Sequence, residues 1–496
     1  MTESSPWHDR AWALRPSGEA FIAGDFRPAL SGQTFDKLSP LDGRALAQVA
    51  SCQAEDVELA VNEARAAFDQ ARWSGLRPVQ RKRILKKFAD LILRHKEELA
   101  LLETLDMGKP ISESLRADVP GTARCIEWYA EAIDKVYGEV APTGPGSLAT
   151  ITREPVGVVG AIVPWNFPLL MAAWKIGPIL AAGNSLVLKP SEKSPLGALR
   201  LAQLAIEAGI PAGVFNVVPG FGPTAGRALA LSMQVDAVAF TGSTLTGKSV
   251  MRDAADSNMK RVGLECGGKS ANIIMADCPD LDAAATASAG AIFYNQGEMC
   301  SAGSRLLVHR SLKGALLERL QVLSRQYQPA DPLDPATRLG ALVDAAQLAR
   351  VEQYVASGLE QGAMLRCGGE RVREESGGYF FPPTIFDDVQ PGMRIAQEEI
   401  FGPVLSVIEF ETAEEAIQIA NGTDYGLAAA VWSRDISLAH RTAKALRAGT
   451  VYVNCYDADD ITVPFGGFKQ SGMGRDKSLH AFDKYTELKT TWLELL

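Results

Sequence analysis

Short apolar runs alternate with longer amphipathic ones from Val156 to Glu265, and this alternation restricts the possible folds more than any other feature of the chain. The apolar runs are too short for helices and are bounded by glycine, proline and small polar residues. Continuous apolar strands between amphipathic helices are typical of a parallel sheet that is covered on both faces. A second alternating series fills residues 270–455. The sequence therefore predicts two α/β domains.

The apolar runs and their periodicity also give the limits of the expected elements. Residues 18–52 alternate around turns and predict hairpins, whereas residues 54–135 have helical periodicity. Residues 138–155 predict a pair of extended strands, which we interpret as an arm that leaves its domain. In the first alternating series we expect strands over 156–163, 185–188, 214–218, 237–240 and 261–265, and helices over 169–182, 196–208, 224–231 and 247–255.

Length, charge and cysteine content exclude several classes of protein. With 496 residues the chain is too long for one hydrophobic core. The net charge of −9 argues against nucleic acid as a partner. The seven cysteines are scattered, odd in number and without a C-x-x-C pair. This pattern predicts neither a metal site nor a disulfide framework, and it is typical of the reducing cytoplasm.

No membrane or secretion segment is expected. Residues 1–10 contain no apolar core and no cleavage-like site, so we expect no secretion signal. The one stretch that imitates a membrane span is 156–188, and it is interrupted by Asn166, Lys175, several prolines and several glycines. A bilayer would leave the broken backbone groups unpaired. We therefore interpret this stretch as strand, loop, helix and strand, and expect no membrane partner.

Cys300 lies in a run of small and polar residues between an apolar helical segment and an apolar strand-like run. Reactive side chains are often carried on such a loop between two rigid elements. A free cysteine has a pKa of ~8.5, and its thiolate is a strong nucleophile toward a carbonyl carbon. The alternative interpretation is a small buried hydrophobic residue. A second stretch, around Glu265, favours the nucleophile.

Glu265 ends a short apolar run and is soon followed by Gly267 and Gly268. A carboxylate at this position is partly desolvated, which raises its pKa and suits it to general-base catalysis. The two glycines allow backbone or substrate to come close. Taken alone, Glu265 is also compatible with an ordinary strand end before a turn. Together with Cys300 it provides a thiol nucleophile and a carboxylate base in one chain.

Three motifs carry a resemblance to a known family: Glu-Cys-Gly-Gly-Lys-Ser from Glu265, Phe-Tyr-Asn-Gln-Gly-Glu-Met-Cys ending at Cys300, and Pro-Trp-Asn-Phe-Pro around Asn166. The chain resembles the NAD(P)-dependent aldehyde dehydrogenase superfamily from about residue 20 to its C-terminus. One departure is Cys266, where the family usually has Leu or Ala. The resemblance implies two Rossmann-like domains and a small β arm that bridges subunits of a homo-oligomer, a dimer or tetramer. The implied boundaries are 1–137 and 156–265 for the NAD-binding domain, 138–155 and 478–496 for the arm, and 266–477 for the catalytic domain.

The cofactor site is expected where a strand ends and a helix begins. Gly242, Ser243 and Gly247 lie in such a turn, where backbone N–H groups and the positive end of a helix can meet a pyrophosphate. Upstream, Lys189 and Glu192 are placed to hold ribose hydroxyls, and the carboxylate disfavours a 2′-phosphate, so we expect NAD rather than NADP. The resemblance further implies cofactor contacts from Glu399, Phe401 and Trp165.

The implied reaction is the oxidation of an aldehyde to its carboxylic acid. Cys300 attacks the aldehyde carbon to give a thiohemiacetal, and Asn166 with the Cys300 N–H stabilises the negative oxygen. NAD accepts the hydride, and Glu265 activates the water that hydrolyses the thioester. Lys175 is an isolated charge in an apolar helix that relays protons or supports the site, or else extends its amine to solvent.

The substrate is expected to be a straight aldehyde with a cation at its far end. The aromatic residues Trp165, Phe167, Trp174 and Tyr294 predict a tunnel, and the carboxylates at its mouth would pair with the cation. A solvated acidic turn is the alternative. The candidate mouth residues are Glu298, Met299, Asp457 and Asp459.

Two further stretches, Trp128–Val140 and Gly474–His480, resemble a bacterial branch that acts on γ-glutamyl-γ-aminobutyraldehyde and 4-guanidinobutyraldehyde. This resemblance implies a role in putrescine, agmatine or arginine breakdown. Three alternatives stay open: a broad-range aliphatic aldehyde dehydrogenase, a CoA-acylating dehydrogenase, and a non-catalytic relative that keeps the fold.

Overall fold

The computed structural model describes residues 6–495. Residues 1–5, part of the segment in which no secretion signal was expected, and residue 496, the end of the predicted arm, lie outside the described residues. The strands are β1 (Ala20–Ile22), β2 (Asp25–Arg27), β3 (Thr34–Leu38), β4 (Ala45–Ala50), β5 (Glu139–Ala141), β6 (Ser147–Pro155), β7 (Val158–Ile162), β8 (Ser185–Lys189), β9 (Phe215–Val217), β10 (Ala237–Thr241), β11 (Arg261–Glu265), β12 (Ala271–Ile274), β13 (Arg305–His309), β14 (Met364–Cys367), β15 (Thr384–Asp387), β16 (Val404–Phe410), β17 (Ala428–Trp432), β18 (Thr450–Val453), β19 (Gly472–Met473) and β20 (Thr486–Glu494).

Helices cover both large sheets. Several of them begin with a side chain that caps the first turn, such as Ser243, Asp280 and Asp344. The α-helices are α1 (Pro6–Ala13), α2 (Ala54–Asp69), α3 (Pro78–Arg94), α4 (Lys96–Met107), α5 (Ile111–Glu113), α6 (Val119–Ala132), α7 (Pro168–Ala182), α8 (Leu196–Ala208), α9 (Arg227–Leu231), α10 (Thr244–Ala255), α11 (Leu281–Phe293), α12 (Lys313–Ser324), α13 (Ala345–Glu360), α14 (Arg394–Gln397), α15 (Ala413–Asn421) and α16 (Ile436–Ala445).

The first large sheet has eight strands in the order β19-β11-β10-β7-β8-β9-β1-β2. Its five central strands are parallel, and β19 and the β1–β2 hairpin close the edges in antiparallel orientation. All residues of β7, β8 and β10 are buried, as expected for strands covered on both faces. The carboxyl end of β8 lies beside that of β7, because Lys189 pairs with Ile162. The carboxyl ends of β10 and β11 also lie side by side, because Thr241 pairs with Glu265. These ends lie along one edge of the sheet.

The second large sheet has seven strands in the order β14-β15-β16-β13-β12-β17-β18, parallel except for the β14–β15 pair. A separate three-stranded sheet, β20-β6-β5, forms the arm. The predicted fold class, two α/β domains with a small β arm, is confirmed. Among residues 6–495, no helix is long and apolar enough to cross a bilayer.

Two segments differ from the predicted boundaries. Gly472–Met473 was assigned to the catalytic domain, but it pairs with Leu264 and Glu265 in the first sheet. Of the predicted arm 478–496, only β20 extends into the arm. Residues 479–484 form a 3₁₀ turn whose Ala481 and Phe482 are buried in the same core as the first sheet, which fixes this turn to the domain.

Candidate active site

A strained turn positions Cys300. Asn295, Gln296 and Gly297 have φ values of 48°, 57° and 70°, a left-handed run that ordinary side chains rarely adopt. A Cβ at Gly297 would collide with the backbone carbonyl of Gly402, so this position requires glycine. Buried hydrogen bonds hold the turn: the Asn295 side-chain amide donates to the Asn166 carbonyl at 3.0 Å. The left-handed turn and its hydrogen bonds therefore fix the position of the backbone that leads to Cys300.

Cys300 lies where two cavities meet. The inner cavity has a volume of about 220 Å³ and is lined by Cys300, Glu265, Asn166 and Glu399 among others. The outer cavity, of about 390 Å³, also includes Cys300 and opens on the other side of it. The structure therefore brings together the predicted nucleophile, base and oxyanion donor in one cavity, with a second cavity large enough for a substrate chain.

The surroundings of the Cys300 thiol disfavour its ionised form. Burial raises its pKa, and the charges of Glu399 and Glu265 raise it further. A thiol with a raised pKa needs a neighbouring base to become the nucleophile. Glu265 and Glu399 are neighbouring carboxylates whose charges act on the Cys300 thiol.

Glu265 is held by its backbone and free at its carboxylate. Its carbonyl accepts a hydrogen bond from the Gly242 N–H at 3.0 Å, and the next N–H, of Cys266, donates to the Ser471 carbonyl at 2.9 Å. The residue is 4% exposed, and neither carboxylate oxygen has a hydrogen-bond partner among the described residues. Burial, followed by the charge of Asp476, raises its pKa well above the usual value for glutamate. These properties suit a general base.

Lys175 lies inside the molecule instead of extending to solvent. Its side chain is 1% exposed and forms an ion pair with Asp476, whose side chain is fully buried. Asp476 forms a second ion pair with Lys484. Sequence reasoning did not assign Asp476 or Lys484 to the site. Lys175 and Asp476 are 301 positions apart, so no local sequence signal could connect them.

Asn166 lies in the inner cavity as predicted, and its amide is oriented by the nucleophile loop. Its Nδ2 donates to the Glu298 carbonyl at 2.9 Å. This nitrogen carries two hydrogens, so the second one stays available for a substrate oxygen. The hydrogen bond from Asn295 to the Asn166 carbonyl holds the same loop from the other side.

A third cavity of about 730 Å³ follows the edge of the first sheet and contains the predicted cofactor residues Lys189, Glu192, Gly242 and Ser243. The Lys189 amine lies 3.2 Å from the Glu192 carboxylate, an arrangement that can hold two ribose hydroxyls. The cavity is bordered by the N-terminus of α10, where a pyrophosphate is favoured by the helix dipole. The Oγ1 of Thr241 is buried there without a hydrogen-bond partner in the described part of the chain, which fits a site built for a polar ligand.

Gly247 does not line this cavity but allows α10 to pack closely on the sheet. A Cβ at Gly247 would lie 3.0 Å from the Cys266 sulfur and 3.5 Å from the Phe240 ring. The close approach places the helix N-terminus at the edge of the cleft. Cys266, which departs from the family pattern, packs against Gly247 at this close approach and leaves Glu265 undisturbed.

The remaining predicted cofactor residues, Glu399, Phe401 and Trp165, line the inner cavity. The Phe401 and Trp165 rings meet edge to face with centroids 5.2 Å apart. Glu399 accepts a hydrogen bond from the Gly268 N–H at 3.0 Å, and burial raises its pKa to about 7. A nicotinamide ring and its ribose fit the chemistry of this lining, with Cys300 on the same wall.

Three of the four aromatic residues predicted for the tunnel, Phe167, Trp174 and Tyr294, line the outer cavity. Trp165, the fourth, lines the inner and cofactor cavities instead. Phe167 and Tyr294 are stacked with ring centroids 6.2 Å apart, and Trp174 packs against Phe465 at 5.3 Å. Met299 lines the same cavity. The cavity is therefore a tunnel with aromatic sides that ends at Cys300.

The two predicted aspartates of the tunnel have different electrostatic surroundings. Asp459 is paired with the buried amine of Lys477. Asp457 accepts a hydrogen bond from the Ser301 hydroxyl at 3.3 Å, and within residues 6–495 it forms no ion pair with a cation. Desolvation of its carboxylate, followed by the charge of Asp459, raises the Asp457 pKa to about 6. Asp457 is thus the better candidate for a cationic substrate group.

Glu298 is not at the tunnel mouth, which corrects the prediction for this residue. Its side chain is fully buried, and its carboxylate accepts a hydrogen bond from the Val343 N–H at 3.1 Å. The strained turn directs it into the second domain, away from the tunnel. Sequence reasoning also missed Asp118, which lines the tunnel and pairs with the buried Lys109 at 3.0 Å.

Comparisons with known proteins agree with this geometry. The model of the aldehyde dehydrogenase family matches residues 26–491. The NADP/NAD-dependent aldehyde dehydrogenase PuuC of Escherichia coli (strain K12) is 55% identical over 99% of this chain and 98% of its own length. An indole-3-acetaldehyde dehydrogenase in complex with NAD⁺ is 62% identical, with a TM-score of 0.98 over 99% of each chain. The γ-glutamyl-γ-aminobutyraldehyde dehydrogenase of Burkholderia cenocepacia J2315 is 59% identical, with a TM-score of 0.97 over 99% of each chain.

Proposed function

Because this chain belongs to the aldehyde dehydrogenase family, and is therefore an oxidoreductase that acts on aldehydes, we propose the following roles for its residues. The Cys300 sulfur attacks the aldehyde carbon once its proton has passed to a neighbouring base, for which Glu265 is the candidate. The Asn166 amide and the Cys300 N–H donate hydrogen bonds to the oxygen that becomes negative. The observation that supports these roles is that all three side chains line one cavity.

The second half of the reaction releases the acid. NAD, when bound, supplies the acceptor for the hydride that leaves the former aldehyde carbon. The acyl group then stays on Cys300 as a thioester. Glu265, having released the thiol proton to solvent, accepts a proton from water, the water oxygen forms the new bond to the acyl carbon, and the carbon–sulfur bond breaks to return the Cys300 thiolate. We expect Lys189, Glu192, Gly242 and Ser243 to hold the dinucleotide, with Glu399, Phe401 and Trp165 near its reactive ring.

The direct test is formation of NADH from a panel of aldehydes, with the Cys300→Ala protein as the control. The wild-type chain should form NADH and release one free acid for each NADH without added CoA. A chain that needs CoA for turnover would instead be an acylating dehydrogenase. An undiminished rate in the Cys300→Ala protein would contradict the proposed nucleophile.

We propose that the preferred substrate is an ω-amino, guanidino or γ-glutamylamino butyraldehyde from polyamine or arginine breakdown. Asp118, Asp459 and Asp460 on the tunnel wall are paired with Lys109, Lys477 and Arg124. Asp457 forms no ion pair among residues 6–495, so its carboxylate is the one that favours a cationic chain. The names of two relatives support the same class, since one acts on γ-glutamyl-γ-aminobutyraldehyde and another, 50% identical, is an aminoacetaldehyde dehydrogenase of Pseudomonas aeruginosa.

A specificity ratio tests the substrate. Loss of one charge-assisted hydrogen bond costs about 1.5–3 kcal/mol, so Asp457→Asn should lower kcat/KM for 4-guanidinobutyraldehyde by about tenfold or more. The value for hexanal should stay constant. Asp459→Asn is the matched control, with a smaller effect because Lys477 already neutralises Asp459. Unchanged ratios in both variants would contradict recognition of the cation.

A broad-range dehydrogenase is the second candidate, and the aromatic wall of the tunnel favours it. The relative that acts on indole-3-acetaldehyde supports an aromatic substrate. In that case hexanal and indole-3-acetaldehyde should be oxidised with kcat/KM values at least equal to that of 4-guanidinobutyraldehyde. The same panel of aldehydes therefore separates the two candidates.

We also propose that the arm joins subunits into a dimer or tetramer in the cytoplasm. Strand β20 exposes Leu488, Trp492 and Leu493 in the isolated chain, and the facing strands expose Val140 and Leu148. Exposed apolar side chains in such a group are typical of an interface. Removal of residues 486–496 should convert the oligomer to monomers in analytical ultracentrifugation. The free cysteines are consistent with a reducing compartment.

A further inference from the structure

Asp476, whose charge acts on Glu265, is shared between two lysines. Its Oδ2 pairs with the Lys175 amine and its Oδ1 pairs with the Lys484 amine. The Asp476 side chain is fully buried, and those of Lys175 and Lys484 are 1% and 13% exposed. Both oxygens of the carboxylate are thus engaged by cations inside the protein.

Two glycines form a slot for the Lys484 side chain. A Cβ at Gly263 would lie 2.8 Å from the Lys484 Cδ, and one at Gly474 would lie 3.1 Å from the same carbon. The amine is 5.3 Å from the centre of the Tyr485 ring. Gly263 belongs to β11, two residues before Glu265, so the slot is attached to the strand that carries the base. The slot therefore holds the Lys484 amine beside Asp476, where its charge acts on the buried cluster of Glu265, Asp476, Lys175 and Lys484.

We propose that Lys484 is a positioning residue for the reaction: by neutralising Asp476, it allows Glu265 to carry a negative charge in the same buried cluster. This inference rests on the proposed role of Glu265 as the base. With Lys175 and Lys484 both present, two cations balance the carboxylates of Glu265 and Asp476. Without Lys484, the two carboxylates keep Lys175 and Arg475 but lose one cation, in a buried space where charges of one sign repel strongly.

The charges around Glu265 determine the direction of the effect. Burial and Asp476 raise its pKa, whereas Lys484, Lys175 and Arg475 lower it. The thiols of Cys266 and Cys300 and the phenol of Tyr485 also interact with it. Around Lys484 itself, the charges are those of Asp476 and Glu265, with the Tyr485 phenol beside them. Removal of Lys484 therefore raises the Glu265 pKa further, so a higher pH is needed to obtain the active base.

The test compares the pH dependence of kcat for Lys484→Met with that of the wild type, with NAD and hexanal. One opposite charge at close range shifts a pKa by about 1 unit or more. We expect the acid limb of the profile to move to higher pH by about one unit, which lowers kcat on that limb about tenfold. Lys484→Arg should restore most of the shift because it keeps the charge. Lys135→Met, which removes an exposed amine, is the matched control and should leave the profile unchanged.

A second variant tests the same inference in case Lys484→Met does not fold. Gly263→Ala keeps every charge but fills the slot, so it should displace Lys484 and move the acid limb in the same direction by a smaller amount. Circular dichroism melting confirms that each variant is folded. An acid limb that stays in place in both folded variants, or an equal loss of kcat at every pH, would overturn the inference while the proposed function stands. Absence of NADH formation in the wild type would overturn both.

Discussion

Replacement of Glu265 by glutamine should stop the enzyme after its first chemical half. The change is nearly isosteric, and neither carboxylate oxygen of Glu265 has a hydrogen-bond partner among the described residues, so no existing hydrogen bond is lost. Glutamine cannot accept a proton from water near neutral pH. Loss of a general base typically costs about 10²–10⁴ in rate. We therefore expect kcat to fall by about this factor while the Cys300 thioester still forms when the pH is high enough for the thiol to ionise.

Stopped-flow absorbance of NADH measures both halves in one experiment. Glu265→Gln should give a burst that approaches one NADH for each active site, followed by slow turnover. Mass spectrometry of the quenched protein should find the acyl group on Cys300. A steady rate equal to that of the wild type would refute Glu265 as the base for hydrolysis. No burst at any pH, in a folded protein, would mean that Glu265 is already needed for the attack of the thiol.

Four further outcomes follow from the site and its core. In the wild type, kcat should rise with pH on a limb above the ordinary glutamate value of ~4.3, since the raised pKa of Glu265 must be passed before the base is deprotonated, and this limb should be absent in Glu265→Gln. Asn166→Ala should lower kcat/KM about 10²–10³-fold through loss of an oxyanion donor, with the Cys300 alkylation rate as the control. Glu192→Ala should raise kcat/KM for NADP relative to NAD by about tenfold or more, because a repelling carboxylate is removed; an unchanged ratio would contradict its role in selectivity. Trp73→Ala should lower the free energy of unfolding by about 3–5 kcal/mol, measured by urea denaturation, since the ring is fully buried and donates to the Leu180 carbonyl at 2.7 Å.

Local periodicity was enough to predict most of the elements that build the site. Helix Leu196–Ala208 and strand Arg261–Glu265 have the predicted limits, because their apolar patterns end at residues that cannot continue the element. The helix over 224–231 is the instructive exception. It begins with a π-helical turn, Gly222–Gly226, ahead of α9, and a single residue of extra winding leaves no mark on the apolar pattern.

Contacts between distant segments could not be predicted in this way. Lys175 and Asp476 are 301 positions apart, and only the packing of α7 against the C-terminal segment brings them together. The pairing of Gly472–Met473 with the strand of Glu265 also joins segments that are far apart in sequence. Glu298 was placed at the tunnel mouth because it is adjacent to the nucleophile loop, but the left-handed turn before it reverses the direction of its side chain. The family motifs predicted Cys300, Glu265 and Asn166, whereas the supporting charges depend on the tertiary fold.

The hydrogen bonds on both flanks of Glu265 have a consequence for motion. Backbone hydrogen bonds join the peptide groups on the two sides of Glu265 to Gly242 and to Ser471. The backbone of the base is therefore held in place. The carboxylate can therefore move only by rotation about side-chain bonds. Gly466 leaves room for this rotation, because a Cβ at this position would lie 2.6 Å from the Glu265 Oε1. Rotations of that kind are local and leave the backbone in place. The base can thus be redirected between successive chemical events without any loop opening or domain closing to carry it.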